Sequence, residues 1–315
     1  MTAIRRLLKV TLRPTSECNR GCSDCYDNAT PIGCSDEFTE EQEEVLVNEV
    51  SALVEKGVCV LIHITGGGEP LLYPRFAPLV ESMLGAGALV SFTTSGCTGS
   101  EGTALDLNNL LQVSKIRGAQ LQPILSSKVT LPSWRTRFRF SVALLSEFSE
   151  HIVVRHTIHK KGEMSFWTFL SEQGFRQVES EGLVGTLPPA FFRKDLIVPG
   201  AENSQILFRN EQGTFLRVVS HKVIRAGRAK RNGQVIANGI ECPLLMGHGK
   251  PYLDIWPNSA IYPCFVIGPE IPKLSLGNLG QTTLNEALQN DDFEARKQRF
   301  RSGSPGDHLC DRCRD

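Results

Sequence analysis

Apolar and polar positions divide the first two-thirds of the chain into alternating strand-like and helix-like segments. LLKVTL (7–12) is a short apolar run. Residues 35–57 have an N-cap signal at Ser35 or Thr39 and acidic side chains in the first turns. Apolar positions then recur at helical spacing (Val45, Leu46, Val50, Leu53, Val54), and Gly57 stops the helix. VCVLIHI (58–64) reads as a buried strand ended by GGGEP. The pattern then predicts a helix over 76–85, a strand over 88–94 and a helix over 103–116. A strand over 118–127, interrupted by Pro123, is followed by a helix over 132–149, a strand over 151–159, a helix over 163–173 and a strand over 175–184. About six βα units in a row imply an α/β fold with parallel strands and right-handed crossovers. Six units form either a partial (β/α)6 barrel, with chemistry at the C-terminal strand ends, or a doubly wound open sheet. Periodicity does not separate the two.

Residues 186–235 break the pattern with LPPAFFRKDLIVPG, two short strand-like runs around NEQG, and the basic, loop-like RAGRAKRNG (225–233). Beyond them, YLDIWPNSAIYPC reads as a hairpin turning at Pro257-Asn258-Ser259, and LGNLG precedes a helical TLNEALQ. The expected division is a barrel at 1–185, a bridge at 186–235 and a small β-hairpin/helix domain at 236–315.

Composition narrows the function. The chain has 315 residues, with 34 Lys+Arg against 34 Asp+Glu, so its net charge is zero. That balance lacks the electrostatic footprint of a nucleic-acid binder or a polybasic membrane protein. No apolar run approaches the roughly 18 residues that span a bilayer, and the N-terminus lacks a signal-peptide h-region. A cytoplasmic location is expected. Ten cysteines are unusual there, because a cytosolic chain does not spend them on disulfides. Six precede residue 98 (Cys18, Cys22, Cys25, Cys34, Cys59, Cys97) and four follow residue 241 (Cys242, Cys264, Cys310, Cys313). The gap between the groups suggests two sites on two structural units.

ECNRGCSDCYD, directly after the first strand, places Cys18, Cys22 and Cys25 in one tight loop. Soft thiolates suit iron–sulfur sites, and three of them leave one iron of a cubane open for chemistry. A zinc loop or chance grouping is the plain alternative. This spacing in this place resembles the radical S-adenosylmethionine (SAM) superfamily. The resemblance implies that the open iron binds SAM and that one electron cleaves it to methionine and a 5′-deoxyadenosyl radical, which takes hydrogen from a substrate. Asp24 stands where the family usually has an aromatic residue that meets adenine. Gly66-Gly67-Gly68-Glu69-Pro70 resembles the family's GGEP motif, which implies that Gly67, Gly68 and Glu69 hold the methionine moiety. Thr94-Ser95-Gly96 is similar to its Thr-Asn-Gly element, and Ser126 and Arg155 resemble positions at SAM's ribose and carboxylate. An Arg pairs bidentately with a carboxylate, while ordinary polar satisfaction at a barrel mouth is the alternative for both.

Cys242, Cys264, Cys310 and Cys313 suit either zinc or a fully ligated [4Fe–4S] cluster by spacing. The region resembles the Twitch form of the SPASM domain, which implies one auxiliary [4Fe–4S] cluster on those four residues. Cys59 reads as a small buried hydrophobe. Cys97 and Cys34 are candidate hydrogen-atom donors to a substrate radical, with an ordinary loop cysteine as the alternative. His63, His156 and His159 read as hydrogen-bonded structural residues. Dehydrogenation, epimerisation and bond formation all fit such a pair of clusters. Sulfatase-maturing relatives place an Asp base after the second auxiliary-domain Cys, where this chain has Phe265. The chain begins six residues before Leu7, so no N-terminal leader-binding domain is expected. The reading is an oxidoreductase or epimerase acting on a small aminocyclitol- or sugar-like substrate of natural-product biosynthesis. A short peptide is the alternative substrate. A flavodoxin or ferredoxin is the implied electron donor, and neither nucleic acid nor membrane is an expected partner. A non-catalytic iron–sulfur electron-transfer or sensor protein is the competing class.

Overall fold

In a computed structural model the described residues are 7–20, 22, 25, 29, 36–96, 121–127, 133–147, 151–158, 163–178, 205–222, 252–263 and 275–290. The strands are β1 (Leu7–Leu12), β2 (Cys59–Ile64), β3 (Leu89–Thr94), β4 (Leu121–Ser126), β5 (His151–Ile158), β6 (Arg176–Val178), β7 (Gln205–Arg209), β8 (Phe215–Lys222), β9 (Tyr252–Ile255), β10 (Ala260–Tyr262) and β11 (Gly277–Asn278). The helices are α1 (Glu40–Glu55), α2 (Phe76–Gly85), α3 (Trp134–Ser146), α4 (Glu163–Glu172) and α5 (Leu284–Leu288), with a 3-10 turn at Pro70–Leu72. The expected helix over 103–116 and His159 lie outside the described residues.

Local signals account for most boundaries. Thr39 caps α1 in a reciprocal capping box with Gln42, and Gly57 takes the left-handed conformation (φ 80°) just past its end. Thr283 and Glu286 repeat the box at α5. The Pro257-Asn258-Ser259 turn closes the β9–β10 hairpin, with Trp256 N–H donating to the Ala260 carbonyl at 3.0 Å and Ser259 N–H donating to the Trp256 carbonyl at 2.9 Å. β4 carries Pro123 in its middle, and its ladder to β5 starts one residue later, at Ile124.

The eleven strands among the described residues form one sheet in the order β11-β10-β9-β1-β2-β3-β4-β5-β8-β7-β6. Strands β9, β1, β2, β3, β4, β5 and β8 are mutually parallel, and antiparallel strands extend both ends. Two placements differ from the sequence expectation. The expected sixth strand, 175–184, is described only as the three-residue β6, which pairs antiparallel with β7 at the sheet edge. The sixth parallel place belongs to β8, within the stretch read as a bridge. The cause is burial: Arg176 and Gln177 are exposed, whereas Leu216 and Val218 of β8 are fully buried, as a strand covered on both faces demands. In addition, β9 lies parallel beside β1, so the described part of the C-terminal segment continues the barrel sheet.

Alternation along the strands separates two faces. Leu8, Val10, Val60, Ile62, Ile64, Val90 and Phe92 pack with Leu46 and Val50 of α1 and Leu79, Val80 and Met83 of α2 in the hydrophobic core. Trp134 and Phe138 of α3 interlock with Phe166 and Phe169 of α4 edge-on or tilted over β5. The other face bears polar side chains. Registered partners in adjacent strands share a face, which places Lys9, Thr11, His63, Ser91, Gln122, Ser126, Arg155, Arg217, Tyr252 and Asp254 there. In a flat sheet β1 and β5 would stand about 19 Å apart, at four strand spacings. The Arg155 charge instead acts on Lys9 of β1 and His63 of β2, so the sheet curls and this polar face is its interior.

Candidate active site

The loop after β1 is built before any cysteine is reached. Arg13 N–H donates to Ile255 of β9, Thr15 forms a bridge with Glu37, and Phe38 N–H donates to Pro14. Across from this stem lies the Gly66-Gly67-Gly68 turn. A Cβ on Gly67 (φ 68°) would stand 2.6 Å from the Thr15 carbonyl oxygen, and one on Gly68 would overlap the Glu17 carbonyl oxygen. Glycine is therefore required because two backbones touch here. Glu69 N–H closes the contact by donating to Glu17 at 2.7 Å.

Glu69 is fully buried and joins three strand ends. Its Oε1 accepts from the Thr94 hydroxyl at 2.6 Å, and its Oε2 accepts from the Ser95 N–H at 2.9 Å and the Ser95 hydroxyl at 2.7 Å. Ser95 Oγ in turn accepts from Arg20 Nε at 2.9 Å, and Arg20 Nη2 reaches the Gly96 carbonyl at 3.5 Å. Arg20 lies between Cys18 and Cys22, so this relay ties the cysteine loop to the ends of β2 and β3. Sequence reasoning missed Arg20 and singled out Ser95 only as the middle of the Thr94-Ser95-Gly96 element. Their only signal was position, inside the cysteine spacing and inside Thr94-Ser95-Gly96. Gly96 (φ 108°) completes the turn against α3, where a Cβ would come 2.6 Å from Ser141 Oγ.

Cys22 is buried, Cys18 and Cys25 are half-buried, and none of the three is in a disulfide. Cys25 N–H donates to Cys22 at 3.3 Å, folding the loop back on itself. Burial pushes the Cys18 thiol up to about 11. The Arg20 backbone N–H opposes that shift, while Glu69 and the other two sulfurs add to it. Cys22 and Cys25 thus both act electrostatically on Cys18 within the loop. Among the described residues no three His, Cys, Asp or Glu side chains converge on a single-ion position. Three soft donors presented in this way fit one face of a cubane cluster. Binding it would displace the thiol protons.

The remaining expected residues fall in three groups. Ser126 is buried and Arg155 half-buried on the interior face, paired in register at the β4 and β5 ends. His63 is buried, with Nδ1 2.8 Å from Ser91 Oγ. Burial, reinforced by Lys9 and Arg155, holds it well below its usual value and therefore neutral. His156 is also buried, stacked on Phe166 and 2.9 Å from Ser127 Oγ. Cys59, expected in the core, is only half-buried. It opens β2 on the interior-facing register, outside the helix-covered cluster. Asp24, Cys34, Cys97, Cys242, Cys264, Cys310 and Cys313 lie outside the described residues.

The C-terminal segment meets this site through β9. Arg13 and Asp254 are both fully buried, and Arg13 Nε lies 3.0 and 3.1 Å from the two Asp254 carboxylate oxygens. Trp256 Nε1 donates to the same carboxylate at 2.7 Å, and the Arg13 guanidinium lies 4.2 Å over the Trp256 ring. The segment that precedes Cys264 is thereby locked to the strand that precedes Cys18.

Comparison with known proteins agrees with this geometry. Residues 247–314 match the model of SPASM, an iron–sulfur cluster-binding domain. No curated protein matches the chain in sequence. Among solved structures it is similar to native anSMEcpe with bound AdoMet, at 13% identity and TM-score 0.57, covering 94% of this chain and 84% of that one. It is similar to Streptococcus suis SuiB bound to the precursor peptide SuiA, at 15% identity and TM-score 0.56, covering 97% and 69%. It is also similar to BtrN in complex with AdoMet and 2-DOIA, at 14% identity and TM-score 0.50, covering 94% and 87%. At such identities the likeness is one of fold. The chain has the fold of the radical SAM enzymes and carries, over residues 247–314, an iron–sulfur domain of the SPASM type.

Proposed function

We propose that this chain is a radical SAM enzyme that takes hydrogen from an unactivated carbon of a small aminocyclitol- or sugar-like substrate and oxidises or epimerises it. The carrying observation is the Cys18–Cys22–Cys25 loop, clamped at the C-terminal ends of the parallel strands by Glu69, Ser95 and Arg20. Reactive groups in such sheets sit at that end. When bound, the cluster and SAM supply a 5′-deoxyadenosyl radical. The chain's own residues hold and orient. Cys18, Cys22 and Cys25 would ligate three irons, the Gly67–Gly68 turn brings the loop stem close, and Arg155 of β5 would present a guanidinium to the SAM carboxylate. Asp24 and Ser126 would face the adenosine. Cys242, Cys264, Cys310 and Cys313, in a unit at 236–315, would hold an auxiliary [4Fe–4S] cluster that takes up or returns an electron. Cys97 or Cys34 would return a hydrogen atom if the outcome is epimerisation.

The neighbours also support a second reading, modification of a short peptide. SuiB is bound to a precursor peptide, and anSMEcpe is seen with the Cp18Cys peptide. One experiment tests the common part. Anaerobically reconstituted protein should hold roughly eight irons, four per cubane, and form 5′-deoxyadenosine from SAM with reductant. About four irons with stoichiometric zinc would defeat the auxiliary cluster. Full iron loading without 5′-deoxyadenosine, with or without candidate substrates, would favour the electron-transfer or sensor class.

A further inference from the structure

The cysteine loop carries a buried donor with no acceptor. Arg20 lies between Cys18 and Cys22 in the chain and is only 8% exposed. Its backbone N–H is hydrogen-bonded to the Cys18 sulfur. Its guanidinium spends one edge on the turn after β3, where Nε donates to Ser95 Oγ at 2.9 Å and Nη2 to the Gly96 carbonyl at 3.5 Å. The same Ser95 hydroxyl donates to Glu69 at 2.7 Å, so a carboxylate balances the guanidinium charge across one oxygen. What is left over is a pair of N–H groups. Nη1 is buried and has no hydrogen-bond partner. In a planar guanidinium Nε and Nη2 share one edge, and Nη1 lies on the other, beside the side chain's own stem. It therefore faces away from Ser95 and Gly96. Buried donors are nearly always paired, because an unmet one is costly, so Nη1 calls for an acceptor.

We propose that Arg20 Nη1 donates to a sulfur of the cluster that Cys18, Cys22 and Cys25 would hold, and so positions that cluster and eases its reduction. This deepens the function above and rests on it for the presence of the cluster. The chemistry fits. Thiolate and sulfide sulfurs accept hydrogen bonds, and a cubane on three thiolates is anionic. Arg20 is anchored at both ends, by Cys18 at its backbone and by Ser95 at Nε, so its free edge is set in place by the protein. A fixed N–H and a fixed positive charge beside the sulfurs favour the state with one more electron, which raises the reduction potential. Arg20 is thus a positioning residue. The relay from Glu69 through Ser95 would then end on the cluster rather than on the loop.

The test uses the reconstituted full chain, with ¹⁵N on the Nη atoms of its arginines. After reduction and before SAM is added, pulsed EPR should show a ¹⁵N coupling to a cluster signal. Arg20→Lys keeps the cation but carries no label, and it should abolish the coupling. Where Arg20→Lys loads no iron, Arg20→Gln gives the assignment. In an EPR-monitored redox titration Arg20→Gln should leave about tenfold less of that cluster reduced at a given potential, a fall of about 59 mV for a one-electron couple. Arg139→Gln, exposed on α3, should change neither readout. Absence of the coupling, as when a water is the acceptor, overturns the inference, and so does an unchanged potential in Arg20→Gln. A coupling that appears only after SAM is added overturns it too, because the acceptor is then SAM. 5′-Deoxyadenosine formation by the same wild-type preparation is scored separately. Cleavage without the coupling removes this inference alone, the coupling without cleavage removes the radical SAM reading alone, and failure to load any cluster removes both.

Discussion

Gly68 lies so close to the carbonyl of Glu17 that a Cβ would overlap it, and the next N–H, from Glu69, donates to that same carbonyl at 2.7 Å. The Gly-rich turn is therefore a backbone clasp on the stem of the cysteine loop. Gly68→Ala forces one backbone to move, which costs roughly 1–3 kcal/mol as overpacking does, and it displaces the loop. A lower urea midpoint and less iron on the first cluster are expected. Gly85→Ala, at the end of α2 with nothing within 4 Å of a Cβ, is the control and should be neutral or slightly stabilising. Equal midpoints for the two variants would remove the clasp.

The Arg13–Asp254 pair predicts how the C-terminal segment is held. Asp254→Ala removes the carboxylate facing a fully buried guanidinium and should cost about 3–5 kcal/mol in urea unfolding. Replacing both partners, Arg13→Met with Asp254→Leu, should recover most of that loss, because the cost lies in the stranded charge. A double variant as unstable as the single one would contradict this account.

Ser95 is the middle of the relay from Arg20 to Glu69. Ser95→Ala removes the acceptor of Arg20 Nε and one donor to the buried carboxylate, an expected loss of about 1–3 kcal/mol in thermal unfolding. It should also raise the KM for SAM more than it lowers kcat, since the loop is displaced and the chemistry is not. Thr93→Ala, whose hydroxyl makes only a 3.4 Å approach to His63, should do neither.

Lys9 gives a pH signature. Burial, with Arg155 acting in the same direction and Asp254 partly opposing, lowers its ammonium from the ordinary 10.5 to about 8. Between these values the folded chain binds fewer protons than the unfolded one, so this group's contribution to stability rises with pH across that window and is flat below it. The groups facing Lys9 are His63 of β2, Arg155 of β5, and Tyr252 and Asp254 of β9, with Arg13 further along its own strand. Of these, His63 is neutral throughout and the arginines keep their charge. A ¹³Cε titration of lysine-labelled protein, assigned with Lys9→Arg, checks the value. A midpoint near 10.5 would refute it.

Much of the architecture is legible residue by residue. Thr39, one of the two cap candidates in the sequence, starts α1, Gly57 ends it, and the apolar runs LLKVTL and VCVLIHI become β1 and β2. The cysteine spacing and GGGEP point to the proposed chemistry because iron and close backbone approach each demand particular residue types in a short stretch. The Glu69 relay was less legible. Ser95 and Arg20 are common polar residues, and nothing in their neighbourhoods in sequence shows that they meet.

Local pattern decides what a segment is, since capping, alternation and metal-ligand spacing act over a few residues. It does not decide which strand a segment lies beside. That β8 takes the sixth parallel place instead of 175–184, that β9 flanks β1, and that Lys9 shares an interior with Arg155 are outcomes of long-range pairing. Burial of Leu216 and Val218, and of the Arg13–Asp254 pair across 241 positions of chain, selects them once the whole sheet closes.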